Sequence, residues 1–399
     1  MSNAAPGVRE AWPLDADVVF LNHGSFGACP VAVLEHQQAL RMQLERNPVH
    51  FFLRQLEELS DHARCTLARF VGCHADDLVS VPNATTGVNA VLQSLAIRSG
   101  DEILLTDQSY PACKNAVHDI CARYGAHVRE EPLPVGPRSA EWVCDAIASH
   151  VSHRTRLALM DHVASPTGAI LPVEQLVRML HQRGVQVLVD GAHAPGLLPL
   201  DIDALGADYY VGNCHKWMCA PKGAGFLHVA RQHQPSVHPV VVSLGHRRAR
   251  RGRSVFATEF GWTGTHDPTA FLTVPFAIDY VGSLHPAGWA GIREQTHALL
   301  VDGVRVVARA LGMEPARDDG WYGSMVALPL LDRKGREPGP GELDAWQSLL
   351  FERYGIEVPV ITWPRHPKRL IRLSAHLYND LEDYEALADG LARLVCDRR

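Results

Sequence analysis

Short apolar runs alternate with longer stretches of mixed polarity between residues 61 and 265. We interpret five of these runs as strands, at residues 102–106, 156–162, 185–190, 208–212 and 225–229. Helical periodicity separates them, most clearly at residues 172–183, where apolar side chains recur on one face at Val173, Leu176, Val177 and Leu180. This alternation predicts an α/β fold with a mostly parallel central sheet and helices on both faces.

The pattern changes after a turn region at residues 261–265. Two helical stretches follow, at residues 268–284 and 291–311, and then strands and a terminal helix, which together indicate a smaller α+β domain. The loop 334–342, rich in Gly and Pro, is expected to be a mobile surface connection. The predicted organisation is an N-terminal segment (1–60) contributing to the small domain and the active-site mouth, a large cofactor-binding domain (61–265) and a small C-terminal domain (266–399).

Composition narrows the class of protein. Hydrophobic residues make up 46% and charged residues 21% of the 399 residues, which is typical of a globular chain with more than one core. The net charge of -6 argues against nucleic acid or a membrane surface as partner, and we expect the basic run at residues 246–253 to be a solvated or substrate-facing loop. The chain has neither a leader pattern nor a long apolar span, so a cytoplasmic location is predicted.

The nine cysteines are scattered, without a CxxC pair. This distribution is typical of free thiols in a reducing compartment. Cys214 and His215 are neighbours, but no second pair at metal-ligand spacing accompanies them, so no metal site is expected.

An acid and a lysine follow two of the predicted strands. The run 185–190 ends in Asp190, and Lys216 follows 26 residues later, after one further strand. Taken alone, Asp190 is explained by capping of the next helix. Together, the two residues match the needs of a pyridoxal 5'-phosphate (PLP) enzyme, in which a lysine forms a Schiff base with the cofactor and an acid keeps the pyridine nitrogen protonated.

The segment 81–89 supplies a candidate phosphate site. It opens an apolar helix with Ala84 and Thr85, and the N-terminus of a helix attracts anions. An ordinary helix cap by Asn83 or Thr85 would be the better explanation of the segment if it stood alone. The acid and the lysine favour the phosphate.

These segments, in this order, resemble the class V aminotransferase family of PLP-dependent enzymes over nearly the whole chain. The resemblance extends to residues 21–27, 161–168, 262–265 and 369–374, and it is strongest to the isopenicillin N epimerase-like branch. It implies the aminotransferase fold (fold type I) and PLP as cofactor.

The resemblance also implies roles for residues at matching positions. Lys216 would bind PLP and act as acid and base, Asp190 would pair with the pyridine nitrogen, and His193 would approach the phenolic oxygen. Tyr110 would stack over the ring. Further cofactor contacts would come from Ala84, Thr85, Ser165, Asn213 and His215, and from Thr265 of a second subunit, which implies a homodimer.

Substrate recognition is implied in the same way. Arg372 matches the arginine that binds the α-carboxylate of an amino-acid substrate, for which a guanidinium offers a two-point contact. Asn22, His23 and Arg54 are further candidates for the substrate mouth.

Several reactions begin with removal of the α-proton, and the sequence leaves three open. We favour an epimerase or racemase, in which Lys216 serves one face and a second group, such as Tyr110 or His23, serves the other. The alternatives are C–S β-elimination by a lyase and transamination. Desulfuration through an enzyme persulfide is disfavoured because residues 332–342 contain no cysteine. A non-catalytic scaffold is disfavoured because both Asp190 and Lys216 are present.

Overall fold

The computed structural model describes residues 8–136, 138–248, 252–315, 320–339 and 341–396. The strands are β1 (Val19–Phe20), β2 (Leu78–Val81), β3 (Glu102–Thr106), β4 (His127–Glu131), β5 (Thr155–Asp161), β6 (Gln186–Gly191), β7 (Tyr209–Asn213), β8 (Gly225–Val229), β9 (Met325–Leu330), β10 (Ile356–Glu357), β11 (Val360–Thr362) and β12 (Arg369–Ser374).

The helices are α1 (His23–Phe26), α2 (Val31–Arg46), α3 (Pro48–His50), α4 (Leu56–Val71), α5 (Ala84–Ser94), α6 (Pro111–Tyr124), α7 (Ala140–Ser149), α8 (Val173–His181), α9 (Ile202–Leu205), α10 (Val255–Phe260), α11 (Thr269–Leu272), α12 (Val274–Ser283), α13 (Gly288–Ala310), α14 (Ala345–Tyr354) and α15 (Leu381–Cys396). A π-helical turn, Phe51–Gln55, joins α3 to α4. Among the described helices, none is both long and apolar enough to cross a membrane.

The central sheet has seven strands in the order β2-β8-β7-β6-β5-β3-β4. Neighbouring strands from β4 to β7 pair in parallel, and β8 pairs antiparallel with both β7 and β2. The predicted mostly parallel α/β sheet is therefore confirmed. Two of its strands were missed: β2 is only four residues long, and β4 is a largely charged edge strand, which lacks the apolar run on which the prediction depended.

Helices cover both faces of this sheet. In β5, Ala158 and Met160 point into one apolar cluster, whereas Leu157 and Leu159 point into another. The first cluster includes the four predicted apolar positions of α8, and the second includes side chains of α5 and α6. Because strand side chains alternate between faces, burial on both faces leaves the strand ends as the place where polar groups can collect.

The remaining strands form two small sheets. β9, β11 and β12 are antiparallel in the order β11-β12-β9, and β1 pairs in parallel with β10, so the N-terminal segment is joined to the C-terminal part of the chain. Leu21 is fully buried in the same cluster as Val326 and Ile371. The register thus brings the segment after β1 next to β12.

The predicted helix 268–284 is two helices, α11 and α12, separated at Thr273. Ala270, Phe271 and Val274 belong to the apolar cluster of the large sheet. We therefore propose that the boundary between the two domains lies after α12 instead of at residue 265.

Candidate active site

Asp190 and Lys216 lie at the carboxyl ends of neighbouring parallel strands. Asp190 is the penultimate residue of β6 and is paired with Val211 of β7, three residues before the turn that carries Lys216. The Asp190 carboxylate is buried, and it accepts hydrogen bonds from the Ala192 N–H (3.0 Å) and from the Cys113 thiol (3.2 Å). These donors fix the orientation of the acid.

One group that adjoins Asp190 is itself electrostatically perturbed. On β5, Asp161 is paired with Asp190, and burial together with the Asp190 charge raises the pKa of Asp161 well above its usual range. Two buried carboxylates without a cation between them do not both ionise readily.

Lys216 is a partly buried amine whose Nζ lies 3.1 Å from Nε2 of His193. Burial and, to a smaller extent, the charge of Arg372 lower the pKa of Lys216 to about 8, and the charge of Asp190 opposes the change. Because the ordinary value is 10.5, a much larger fraction of this lysine is an unprotonated nucleophile at neutral pH.

Helix α5 begins beside β7. The Asn83 side chain caps the helix by accepting from the Thr86 N–H (2.9 Å), and the Ala84 N–H donates to Oδ1 of Asn213 (2.8 Å). In the described part of the chain, no protein acceptor receives the Thr85 N–H, and the Thr85 hydroxyl is likewise without a partner. Free donors at a helix N-terminus suit an anion such as phosphate.

His215 follows β7, the strand beside which α5 begins. Its Nδ1 lies 3.2 Å from the carbonyl of Ala224, which can only accept, so Nδ1 carries a proton. Burial lowers the pKa of His215 to about 4. A phosphate dianion nearby would favour the protonated ring, which could then donate from Nε2 as well.

Arg372 is a buried cation without a carboxylate partner among the described residues. Its Nη1 donates to the carbonyl of Ser165, and its Nη2 donates to the Ser25 hydroxyl (2.9 Å), while its Nε has no acceptor. Burial lowers the pKa of Arg372 to about 10. On the same strand, Arg369 is buried too but is paired with Asp344 at 2.7 Å.

The segment 21–27 packs directly on Lys216 and Arg372. His23 is fully buried: its Nε2 lies 3.0 Å from the carbonyl of Lys216, and its Nδ1 lies 2.8 Å from the Tyr378 hydroxyl. Gly27 has φ +70°, and a Cβ there would be 2.2 Å from the His215 carbonyl. The structure thus places His23 against the main chain of Lys216, where its ring contacts the lysine carbonyl.

Asn22 is connected to Arg372 through Ser25. Its Oδ1 accepts from the Ser25 hydroxyl (2.5 Å), and its Nδ2 donates to Glu357 (3.0 Å). Asn22 therefore positions Ser25, which in turn contacts the arginine.

Three candidates lie towards the surface. Tyr110, which precedes α6, is 42% exposed and interacts electrostatically with Arg372, partly opposing the lowering of the arginine pKa. Thr265 is exposed and lines a cavity of about 760 Å³ that Thr86 also lines. Arg54 lies exposed in the π-helical turn and, within the described residues, makes no hydrogen bond or ion pair with a site residue.

The basic run 246–253 is described only in part, because residues 249–251 lie outside the described residues. Arg253 forms ion pairs with Glu57 and Asp61. The backbone N–H of Arg247 donates to the buried Glu259 (2.6 Å).

The sequence interpretation missed four residues of the site. Ser25 and Gly27 lie in the opening segment that carries the resemblance, and Trp217, whose Nε1 lies 3.4 Å from Nδ1 of His193, follows the lysine directly, so their positions offered a signal. Cys113 lies inside an ordinary amphipathic helix, and no sequence pattern distinguishes it.

Together these groups fit PLP. An aldehyde would meet the amine of Lys216, a ring nitrogen would meet the buried Asp190, and a phosphate would meet the unpaired donors of Thr85.

Comparison with known proteins is consistent with this fit. A family described as aminotransferase class-V matches residues 20–309. Isopenicillin N epimerase of Amycolatopsis lactamdurans is 35% identical, covering 99% of both chains. A probable chloroplastic L-cysteine desulfhydrase of Arabidopsis thaliana is 31% identical, covering 96% of this chain and 84% of that protein. A mutant of C-DES with glycine covalently linked to its PLP cofactor has a similar structure (TM-score 0.80, 25% identity, covering 96% of this chain and 98% of that one).

Proposed function

The chain belongs to the class V aminotransferase family, and we propose that this PLP-dependent enzyme of fold type I inverts the α-carbon of an amino-acid substrate. When bound, PLP supplies an electron sink for the electron pair that remains on the α-carbon after the α-proton is removed. The protein must therefore hold the cofactor, bind the substrate carboxylate and move protons at the α-carbon.

For the cofactor, we propose that Lys216 binds the aldehyde carbon and that Asp190 pairs with the ring nitrogen. The position of His193 beside Lys216 Nζ supports a contact with the phenolic oxygen. Thr85, with its unpaired N–H and hydroxyl, and His215 would bind the phosphate. The Ala84 N–H and the Asn213 side chain form a hydrogen bond with each other, so we propose that these two residues orient the start of α5.

The observation that carries the proposal is the unpaired charge of Arg372. A buried cation without an anion is costly, by several kcal/mol in real proteins, unless a ligand neutralises it. An α-carboxylate would do so through the Nε edge, where Arg372 has no protein acceptor. Ser165 and Ser25 hold the guanidinium from its other nitrogens.

Inversion is supported by two groups that lie near Arg372. Lys216 and Tyr110 each interact electrostatically with this arginine, so two groups that can exchange a proton lie near the expected carboxylate. His23 does not serve as the second group in this proposal, because both of its ring nitrogens already have protein partners. Lys216 would remove the proton from one face, and the Tyr110 hydroxyl would return one to the other.

A second candidate is C–S lysis of a cysteine-derived substrate. The similarity to a cysteine desulfhydrase over 96% of this chain favours it. In that reaction, Lys216 alone could remove the α-proton and protonate the leaving group.

We further propose that the enzyme works as a homodimer in which Thr265 reaches the partner's phosphate. The exposure of Thr265 at the 760 Å³ cavity supports this, because the same cavity is lined by the exposed apolar residues Leu53, Val241 and Leu244. Sedimentation of the purified protein at micromolar concentration tests the proposal, and a monomer would contradict it.

The reaction is tested in deuterated water with single enantiomers of candidate amino acids. Deuterium at the α-carbon with appearance of the opposite enantiomer, measured by chiral chromatography and mass spectrometry, is the expected result. Release of pyruvate, ammonia and sulfide without inversion would replace the epimerase by the lyase. Lys216→Ala protein is the control, since it should show neither reaction nor the yellow absorbance of lysine-bound cofactor.

A further inference from the structure

A hydrogen-bonded row connects Trp217, His193 and Lys216. Nε1 of Trp217 lies 3.4 Å from Nδ1 of His193, and Nε2 of the same ring lies 3.1 Å from Nζ of Lys216. His193 and Trp217 are both buried, at 2% and 3% exposure, so water has little access to the imidazole and indole rings. Each end of the imidazole therefore faces one defined protein group.

The chemistry of the indole decides which imidazole nitrogen carries the proton. An indole N–H only donates, so Nδ1 of His193 must present its lone pair. Burial, followed by the charge of Lys216, lowers the pKa of His193 well below its usual range, so the ring is neutral. A neutral imidazole with an unprotonated Nδ1 has its proton on Nε2.

We propose that Trp217 is a positioning residue that fixes His193 as the Nε2–H tautomer, so that His193 donates towards the atoms beside Lys216 Nζ. This inference rests on the proposed function for the identity of the cofactor atom that receives the hydrogen bond, namely the phenolic oxygen. The tautomer itself depends only on the contacts of this chain.

The tryptophan is held firmly enough for this role. Its ring packs in a buried cluster with Val163, Leu197 and Met325. On its backbone side, Gly196 has φ +88°, and a Cβ there would be 2.5 Å from the Trp217 carbonyl carbon. Neither the side chain nor the backbone of Trp217 can move away from His193 without displacing these neighbours.

The tautomer affects the lysine and its cofactor. An Nε2–H donor is compatible with the neutral amine of Lys216 and with an ionised phenolic oxygen, because both are acceptors. The opposite tautomer would present a lone pair to both, which favours the protonated amine and repels the oxygen. Loss of the indole donor should therefore change the acid-base behaviour of the bound chromophore.

The experiment compares the PLP-loaded, full-length protein with Trp217→Phe, which keeps an aromatic ring but lacks the donor. Trp289→Phe is the matched control, since Nε1 of Trp289 donates to a backbone carbonyl, that of Ile278, at 2.9 Å. Long-range ¹H–¹⁵N spectra of histidine-labelled protein report the tautomer, and His193→Gln identifies the signals of His193 by difference. Thermal unfolding checks that each variant is folded.

In the native protein and in Trp289→Phe, Nδ1 of His193 should be unprotonated. In Trp217→Phe, a signal of protonated Nδ1 should appear, and the midpoint of the absorbance titration of the bound cofactor should move by about half a pH unit or more, on the scale of one altered hydrogen bond. A protonated Nδ1 in the native protein overturns the proposal, even if Trp217→Phe fails to fold. So does a folded Trp217→Phe with the native tautomer and titration.

The outcome is separable from that of the proposed function. The tautomer and the titration are read without turnover, so a lyase in place of an epimerase would leave both expectations unchanged. Absence of bound PLP from the native protein, by contrast, would contradict the proposed function, while the histidine spectra would still report the tautomer.

Discussion

The Ser25 hydroxyl lies 2.9 Å from Nη2 of Arg372, so a residue near the start of the chain orients one near its end. The guanidinium can only donate, so Ser25 accepts this hydrogen bond and directs its own proton to Oδ1 of Asn22, at 2.5 Å. Asn22 is anchored in turn by Glu357. This series of hydrogen bonds holds Arg372 and leaves its Nε without a protein acceptor.

Ser25→Ala should raise KM for amino-acid substrates with little change in kcat. A hydrogen bond to a charged group contributes about 1.5–3 kcal/mol, so part of that loss gives a KM increase of roughly tenfold or more. Steady-state kinetics measure it, and Ser236→Ala, which removes an exposed hydroxyl bonded to the His233 carbonyl, is the control. An unchanged KM, or a loss confined to kcat, would contradict a role in carboxylate binding.

Arg372→Met and Arg369→Met should affect stability differently, although both residues are buried on β12. Removal of Arg369 leaves the buried Asp344 paired with Arg333 alone among the described residues, so the loss should lie near about 3 kcal/mol, the lower end of the cost of breaking a buried pair. Arg372 has no acid to abandon and carries the cost of an unpaired buried charge, so Arg372→Met should keep the free energy of unfolding or raise it by up to about 4 kcal/mol, while abolishing substrate binding. Denaturant unfolding and substrate titration test both, and a large destabilisation by Arg372→Met would argue for a structural role.

Gly27→Ala should reduce cofactor occupancy, because its Cβ would meet the His215 carbonyl and Cα of Lys216. Gly184→Ala is the matched control, with φ +72° and no atom within 4 Å of its Cβ. Both variants carry the backbone strain of a left-handed residue, about 1–2 kcal/mol, but only the first carries the clash. Equal PLP absorbance per protein in the two variants would show that the contact between Gly27 and the lysine backbone is dispensable.

The rate at which cofactor-free protein takes up PLP should rise with pH through about 8, the value to which burial lowers the pKa of Lys216. The unprotonated amine is the reactive form, and a lowered pKa makes it available at lower pH than the ordinary 10.5. Stopped-flow absorbance measures the uptake. Lys222→Arg should give the same profile, whereas a rise only near pH 10 would mean that Lys216 is not perturbed.

Tyr110→Phe should separate proton removal from inversion. Without the hydroxyl, Lys216 can still remove and return a proton on one face, so the substrate should gain deuterium in deuterated water and keep its configuration. Inversion should fall by about 100-fold or more, the usual contribution of a general acid. Tyr124→Phe, at the exposed last residue of the helix that Tyr110 precedes, is the control; inversion that survives Tyr110→Phe would assign the second proton to another group.

The sequence by itself determined five of the seven strands of the central sheet and the helical periodicity between them. β3 and β8 begin and end where the apolar runs do, and α8 buries the four positions that its periodicity selected. Asp190 and Lys216 could be expected at one edge of the sheet, because consecutive parallel strands end on the same side. These features follow from local patterns, since side-chain periodicity is fixed by strand and helix geometry.

The tertiary structure alone decided which side chains are occupied by the protein and which are left for a ligand. Arg369 and Arg372 lie three residues apart in one buried strand, yet one meets Asp344 and the other meets no acid among the described residues. His23, read from sequence as part of the mouth, is turned inward to the Lys216 carbonyl. Such contacts join residues up to 347 positions apart, so they depend on how the elements pack, and no local periodicity encodes that.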